Sequence, residues 1–322
     1  MDPLFINKEK VASLLPMNEC ISVMENMFRS IARGESFHPL RQLMWLPDKR
    51  GLLGMMPAYA ANPAVMGIKV ISVFHGNKQT GHPSHQGVVI LFDARQGEPL
   101  MIFDATEITA IRTAAASALA TRFLSREDST TLAILGSGEQ ALRHIESILL
   151  VREINEINCW GRNKMMVSGL AKNMSQKYNI PVNAYDDAPE AIQKADIICT
   201  VTASREPVLK GSWIPAGAHI NAVGACTPAV RELDTAAVLR SKIFTDSYES
   251  LFNEAGDFLI PKMEGALTNE EVKGELGEVI SGEKKGREGA QDITLFKSLG
   301  IATEDLFAAW HIYQKISGAN PV

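Results

Sequence analysis

From residue 131 onward, short apolar and β-branched runs alternate with longer stretches of helical period. The runs fall at 131–135, 155–160, 181–185, 196–202, 219–223 and 242–245, and helical patterns such as 139–150 and 164–177 fill most of the gaps. Strands apolar on both faces, with helices between them, predict a parallel sheet covered on two sides. Six such strands predict an α/β, doubly wound Rossmann sheet. Before residue 129 the pattern changes. Strands at 67–74 and 87–93, with "DARQGEP" as a turn between the second of them and "LMIFD", predict a mostly antiparallel α+β module. A last helical pattern at 304–316 follows the sixth strand and is expected to pack back on that module. The expected division is therefore 1–127 with 300–322, and 128–299.

Composition narrows the partners. The 322 residues are 46% hydrophobic and 21% charged, with a net charge of -5 and no basic stripe, which argues against nucleic acid and anionic membrane surfaces. No apolar run approaches the roughly 20 residues needed to span a bilayer, and "MDPLFINKEK" lacks the apolar core of a signal peptide. The four cysteines, Cys20, Cys159, Cys199 and Cys226, are scattered without a CxxC pair. That spacing predicts neither a disulfide framework nor a metal site, and it suits a reducing cytoplasm.

The first chemical motif is "TLAILGSGEQALRH". Gly136-Ser137-Gly138-Glu139-Gln140-Ala141 is a G-x-G-x-x-A between a predicted strand and a predicted helix. Gly136 allows the tight turn, Gly138 lets backbone N–H groups approach a pyrophosphate, and Ala141 permits close helix–strand packing. On its own the motif also fits a plain βα turn; the repeated strands and helices behind it favour dinucleotide binding. An NAD site usually has Asp or Glu at the end of the second strand, about 20 residues on, for the ribose 2′-OH. Here Gly161 is followed by Arg162, Asn163 and Lys164. A guanidinium with no carboxylate beside it suits a 2′-phosphate, so NADP(H) is expected over NAD(H), against the plainer reading of Arg162 as a solvated loop residue.

Three cations sit in awkward places. Lys69 in "GIKVISVF" shares its strand face with Ile71 and Val73. Arg112 shares a helix face with Ile108, Ala115, Ala116 and Leu119, and Asp104 and Glu107 form the pattern of a cap before it. Arg41 in "HPLRQLMW" is the third. A cation on an apolar face demands an anion. That anion is either a carboxylate of the chain or one belonging to a small ligand.

The chain also resembles the ornithine cyclodeaminase/mu-crystallin family over nearly its whole length. The resemblance rests on "GIKV", "PSHQ", "DATEITAIRTAAASALAT", "ILGSGEQA", "GAHINAVGA", "ELGEVISG" and "TLFKSLG". It implies an NAD(P)-dependent enzyme with a Rossmann domain and a second domain that dimerises and binds substrate. It implies that Arg41, Lys69 and Arg112 hold a substrate carboxylate and that Ser298 lies near the nicotinamide. Ser137, Glu139, Gln140, Asn163, Thr202 and Val223 complete the expected cofactor set beside Gly136, Gly138 and Arg162. Cyclodeaminases and the similar archaeal alanine dehydrogenases carry an Asp shortly after the "INAVG"-type strand, where this chain places Cys226; the mu-crystallin branch lacks it too. The resemblance therefore implies reduction of a small cyclic 2-imino acid, of the pyrroline- or piperideine-2-carboxylate type, to an L-imino acid such as L-proline. The alternative is an ornithine cyclodeaminase or an L-alanine-type dehydrogenase. Lys69 is the best candidate for proton delivery and His85 the second, although His85 also reads as a turn residue. Cys226 is expected to line the pocket without chemistry.

Overall fold

The computed structural model describes residues 3–74, 76–77 and 81–318. The chain divides into two compact units, residues 1–113 with 301–322 and residues 114–300.

The first unit begins with β1 (Leu4–Ile6), α1 (Lys8–Leu14) and α2 (Met17–Ala32). It continues through β2 (Ser36–Phe37), β3 (Gln42–Trp45), β4 (Leu52–Ala60), β5 (Val65–Val73), β6 (His85–Asp93) and β7 (Pro99–Asp104) into α3 (Ala105–Leu124). The sheet order is β1-β7-β6-β5-β4-β2, with β3 on β4. All pairings are antiparallel except β1 with β7. The expected turn joins β6 to β7: Asp93 accepts from the Arg95 and Gln96 amides. Asp104 accepts from the Glu107 amide at the start of α3, as the capping pattern predicts. Strands β1 to β4 escape a reading by alternation because they are short or apolar on both faces. Two-residue periodicity sorts β5: Val65, Gly67 and Lys69 are buried, whereas Met66 is exposed and Ile68 and Val70 half-buried. The last helix of the chain (Ala302–Ser317) packs on the buried side, against α2, β4, β5 and β6. It comes close at Gly67, where a Cβ would stand 2.9 Å from Leu306.

The second unit holds β8 (Thr131–Leu135), α4 (Glu139–Ile148), β9 (Glu156–Trp160), α5 (Lys164–Tyr178), β10 (Val182–Tyr185), α6 (Ala188–Ile192), β11 (Ile197–Thr200) and β12 (His219–Ala222). Then come α7 (Thr235–Leu239), β13 (Ser241–Thr245), α8 (Tyr248–Glu254), α9 (Gly256–Met263), β14 (Val272–Glu275), α10 (Leu276–Ile280) and β15 (Ile293–Lys297); the last helix of the chain is thus α11. The sheet is parallel throughout, in the order β10-β9-β8-β11-β12-β15-β13-β14. The doubly wound prediction holds, with eight strands rather than six. β14 has one strongly apolar residue in four, and β15 ends on a lysine, so neither reads as a run. β15 nevertheless inserts between β12 and β13 and is buried at every position. α3 straddles the two units, so the division at 113/114 falls inside a helix rather than at the expected boundary after it.

Candidate active site

In the second unit the carboxyl edge of the parallel sheet gathers the expected cofactor residues. Gly136 to Gln140 follow β8, Arg162 and Asn163 follow β9, Thr202 follows β11, Val223 follows β12 and Ser298 follows β15. These five strands are consecutive neighbours, and the chain crosses over between β8 and β11, the switch point where such sheets take their ligands. Gly136 has φ 138, and a Cβ there would meet the Val201 carbonyl oxygen at 2.7 Å. Gly138 faces open space: a Cβ there would find nothing within 4 Å. It is also the cap residue of α4, with no side-chain hydrogen bond onto the helix amides. Ala141 is fully buried where α4 meets the sheet. A bare helix start behind a glycine turn with clear space above it suits a pyrophosphate. Two buried polar atoms on this edge, Gln140 Oε1 and Ser298 Oγ, have no hydrogen-bond partner among the described residues. The edge thus fits a dinucleotide.

Other expected residues have partners of their own. Glu139 pairs with Arg143 one turn along α4. Asn163 caps α5 through the Met166 amide. Thr202 donates to Glu232. Arg162 is exposed and makes no ion pair among the described residues, and no carboxylate stands at 161 to 163. Cys226 is half-buried and packs against the apolar cluster of this unit, a setting for a filler rather than a nucleophile.

In the first unit the cation cluster forms. Lys69 on β5 and Arg112 on α3 are each 3% exposed. Lys69 Nζ lies 2.6 Å from Asp305 Oδ2, Arg112 Nε donates to Asp305 Oδ1 at 3.0 Å, and Arg112 Nη1 pairs with Glu304. The sequence leaves open whether a carboxylate of the chain meets these cations, and the structure supplies two. Burial pulls the Lys69 ammonium down to about 8, with the Arg112 and Arg41 charges adding to it and Asp305 opposing. Burial would also lower the Arg112 guanidinium, but Asp305 and Glu304 outweigh it and hold it above its ordinary range. Asp305 stays below the usual carboxylate range because the two cations overcome its desolvation. Arg41 acts electrostatically on both Lys69 and His38, and burial together with Arg41 pushes His38 down to about 4. His85 is exposed at the start of β6 and bonds Ser84, as a turn residue would.

The sequence reading missed Glu304, Asp305 and His38. Two acids in the first turn of a helix ordinarily read as partners of the helix dipole, and only the apolar remainder of α11 signals that they are buried.

Among the described residues, no group of three or more His, Cys, Asp or Glu side chains is placed to hold a metal, and no helix is long and apolar enough to cross a membrane. A parallel sheet whose carboxyl edge fits a dinucleotide is the frame of a nicotinamide-dependent oxidoreductase. The profile of the ornithine cyclodeaminase/mu-crystallin family matches residues 1–320, and the chain belongs to that family. It is 37% identical over 319 residues to the ketimine reductase mu-crystallin of Mus musculus, covering 98% of each chain. A solved structure of Thermococcus litoralis Delta(1)-pyrroline-2-carboxylate reductase in complex with NADH and L-proline superposes with a TM-score of 0.95, at 37% identity and 98% coverage of both chains. An archaeal alanine dehydrogenase dimer with bound NAD gives a TM-score of 0.93 at 31% identity, covering 99% of this chain and 98% of its own.

Proposed function

We propose that the protein reduces a small cyclic 2-imino acid, of the pyrroline- or piperideine-2-carboxylate type, to the L-imino acid, such as L-proline, with NADPH preferred over NADH. The observation that carries this reading is the likeness, at 37% identity, to a Delta(1)-pyrroline-2-carboxylate reductase and a ketimine reductase; in the first unit Asp305 and Glu304 balance the Lys69 and Arg112 charges, and a substrate carboxylate would join that cluster. Arg112 is permanently charged and suited to grip the substrate carboxylate, with Arg41 adding positive potential. Reduced nicotinamide supplies, when bound, a hydride for the imine carbon. Gly136, Gly138 and the bare start of α4 hold the pyrophosphate, and Ser298 offers its buried hydroxyl at the same sheet edge. Lys69, still mainly protonated at pH 7, holds the proton that the imine nitrogen takes. Arg162, with no acid beside it, supports the preference for the 2′-phosphate.

The likenesses to a pyrroline-2-carboxylate reductase and a ketimine reductase support the same substrate class. The likeness to an alanine dehydrogenase favours amino-acid oxidation as the second reading; Cys226, where the resemblance expects an Asp in that branch, weighs against it. The working form is a homodimer through the first unit, whose outer sheet face presents Met55, Tyr59, Met66, Ile68, Val70 and Ile90 exposed or half-buried. Four free cysteines suit a cytoplasmic setting.

The deciding experiment follows NADPH oxidation with each cyclic imino acid, and assays L-ornithine and L-alanine with the oxidised cofactor. Rapid oxidation with the imines and little turnover of the amino acids is expected. The reverse pattern would overturn the assignment.

A further inference from the structure

Glu232 is completely buried in the second unit, outside every motif that the sequence reading singles out. Its backbone is fixed on both sides: its N–H donates to Asp257 Oδ1 at 2.7 Å, and its carbonyl accepts from the Val208 and Leu209 amides. Its carboxylate accepts four bonds. Oε1 takes the Thr202 amide and the Thr202 hydroxyl, each at 2.7 Å. Oε2 takes the Thr200 hydroxyl at 2.8 Å and the Gly224 amide at 2.6 Å. Thr200 ends β11, Thr202 lies two residues beyond it, and Gly224 lies just beyond β12. One side chain therefore ties two neighbouring strand ends on the edge that carries Gly136, which runs so close to Val201, next to Thr202, that a Cβ at 136 would stand 2.7 Å from the Val201 carbonyl oxygen.

We propose that Glu232 is a positioning residue for dinucleotide binding: its carboxylate clamps the ends of β11 and β12 so that Thr202 and Val223 stand fixed beside the glycine turn. The inference rests on the cofactor reading above. Glu232 has no exposed atoms to offer a ligand, so it acts through the residues it holds.

The donor set explains why this position needs a carboxylate. Burial and the nearby Asp257 push the Glu232 carboxyl up, while Lys297 and the Thr202 bonds favour its anion. Lys297, 3.0 Å from Asp257, compensates the local negative charge. Each oxygen of Glu232 accepts one backbone N–H and one hydroxyl. A glutamine in either orientation would turn its NH2 toward a backbone N–H, of Thr202 or of Gly224, and neither amide can reverse its direction. Protonated glutamate escapes this, because a threonine hydroxyl can turn and accept. Glu232→Gln therefore breaks the clamp with almost no change in volume.

The test begins with the wild-type protein, titrated with NADPH and with NADH by fluorescence. The tighter cofactor is then used for the variants, each checked by circular dichroism and thermal melting. Glu232→Gln is expected to remain folded, to raise the cofactor Kd about tenfold or more, and to leave the imine KM within about twofold. Thr200→Val removes one donor from the clamp and keeps its volume; a severalfold rise in cofactor Kd is expected. If Glu232→Gln fails to fold, Thr200→Val decides alone. Folded variants that melt earlier yet bind the cofactor within twofold of wild type would overturn the positioning role and leave Glu232 as part of the core. Wild-type protein that binds neither cofactor would sink the cofactor reading itself, and this inference with it.

Discussion

Lys69 Nζ stands 2.6 Å from one oxygen of Asp305, while Arg112 Nε donates to the other at 3.0 Å. One buried carboxylate thus serves two buried cations on different elements, and α11 delivers it because Gly67 lets Leu306 come down close to β5. Asp305→Asn removes the shared charge and leaves Lys69 uncompensated. Breaking one partner out of a buried pair costs about 3–5 kcal/mol. Urea denaturation should show a loss of that order with an unchanged m-value. A loss within the range of a surface substitution, under about 0.5 kcal/mol, would mean that solvent reaches the cluster.

The depressed Lys69 ammonium predicts a pH limb. As the proton donor it acts only while charged, so kcat/KM should fall as pH rises through about 8, rather than near the ordinary lysine value of 10.5. Asp305 opposes the depression, so Asp305→Asn should move the limb to lower pH. The linkage to stability has a definite sign. The unfolded chain binds this proton more tightly between about 8 and 10.5, so Lys69 lowers stability below pH 8 and its penalty fades as pH rises across that window. A pH–rate profile flat to pH 10 would exclude Lys69 as the acid.

Arg162→Ala should raise the NADPH KM and leave the NADH KM nearly unchanged, since only one cofactor carries a 2′-phosphate. Loss of a charge-assisted, fork-type contact corresponds to about 1.5–3 kcal/mol, or roughly tenfold to a hundredfold. Equal loss with both cofactors would show that Arg162 does not read the phosphate. Gly161→Asp should shift preference toward NADH, provided Val167 yields slightly: a Cβ at 161 would stand 3.0 Å from its Cγ2.

The sequence makes the glycine turn, the bare Arg162 and the misplaced cations legible because each violates a local expectation: a glycine pair at a strand end, a missing acid, a lysine on an apolar face. Asp305 and Glu304 break no such rule in a first helical turn, and Glu232 in "RELD" looks like one more surface acid before α7. Their burial is set by which strands and helices meet, which periodicity along one chain does not carry. β15 is hidden for the same reason: its Lys297 reads as a strand end, yet the side chain is 1% exposed and paired with Asp257.

The outer face of the first unit's sheet predicts assembly. Tyr59 is 44% and Met66 37% exposed, with half-buried apolar residues around them on β4, β5 and β6. A contiguous apolar sheet face of this kind is uncommon on a free surface. Light scattering should return about twice the 35.1 kDa chain mass. Met66→Asp, placing a charge in the middle of that face, should shift the protein toward monomer. A fully active wild-type monomer at micromolar concentration would reject the dimer.

Cys226 distinguishes a reductase from a deaminase. Its side chain packs half-buried against the apolar cluster of the second unit, where the resemblance places an Asp in deaminating relatives. Without that base, removal of an amine from ornithine lacks its assistance, whereas a preformed imine needs only orientation, a hydride and a proton. Base assistance is worth about 10² to 10⁴ in rate, so the unmodified protein should reduce cyclic imines readily and release little ammonia from L-ornithine. Cys226→Ala and Cys226→Ser should keep imine reduction largely intact, because the thiol carries no step. Cys226→Asp need not create a deaminase, since a base alone does not place the second amine of ornithine. Arg112→Ala provides the contrast: it removes the group proposed to grip the carboxylate and takes one of two cations away from Asp305, so kcat/KM should fall by roughly a hundredfold or more, about 3 kcal/mol of transition-state stabilisation. A Cys226→Ala variant that binds NADPH normally yet reduces no imine would assign the cysteine a role in the chemistry, and brisk ammonia release from ornithine by the native chain would displace the reductase reading.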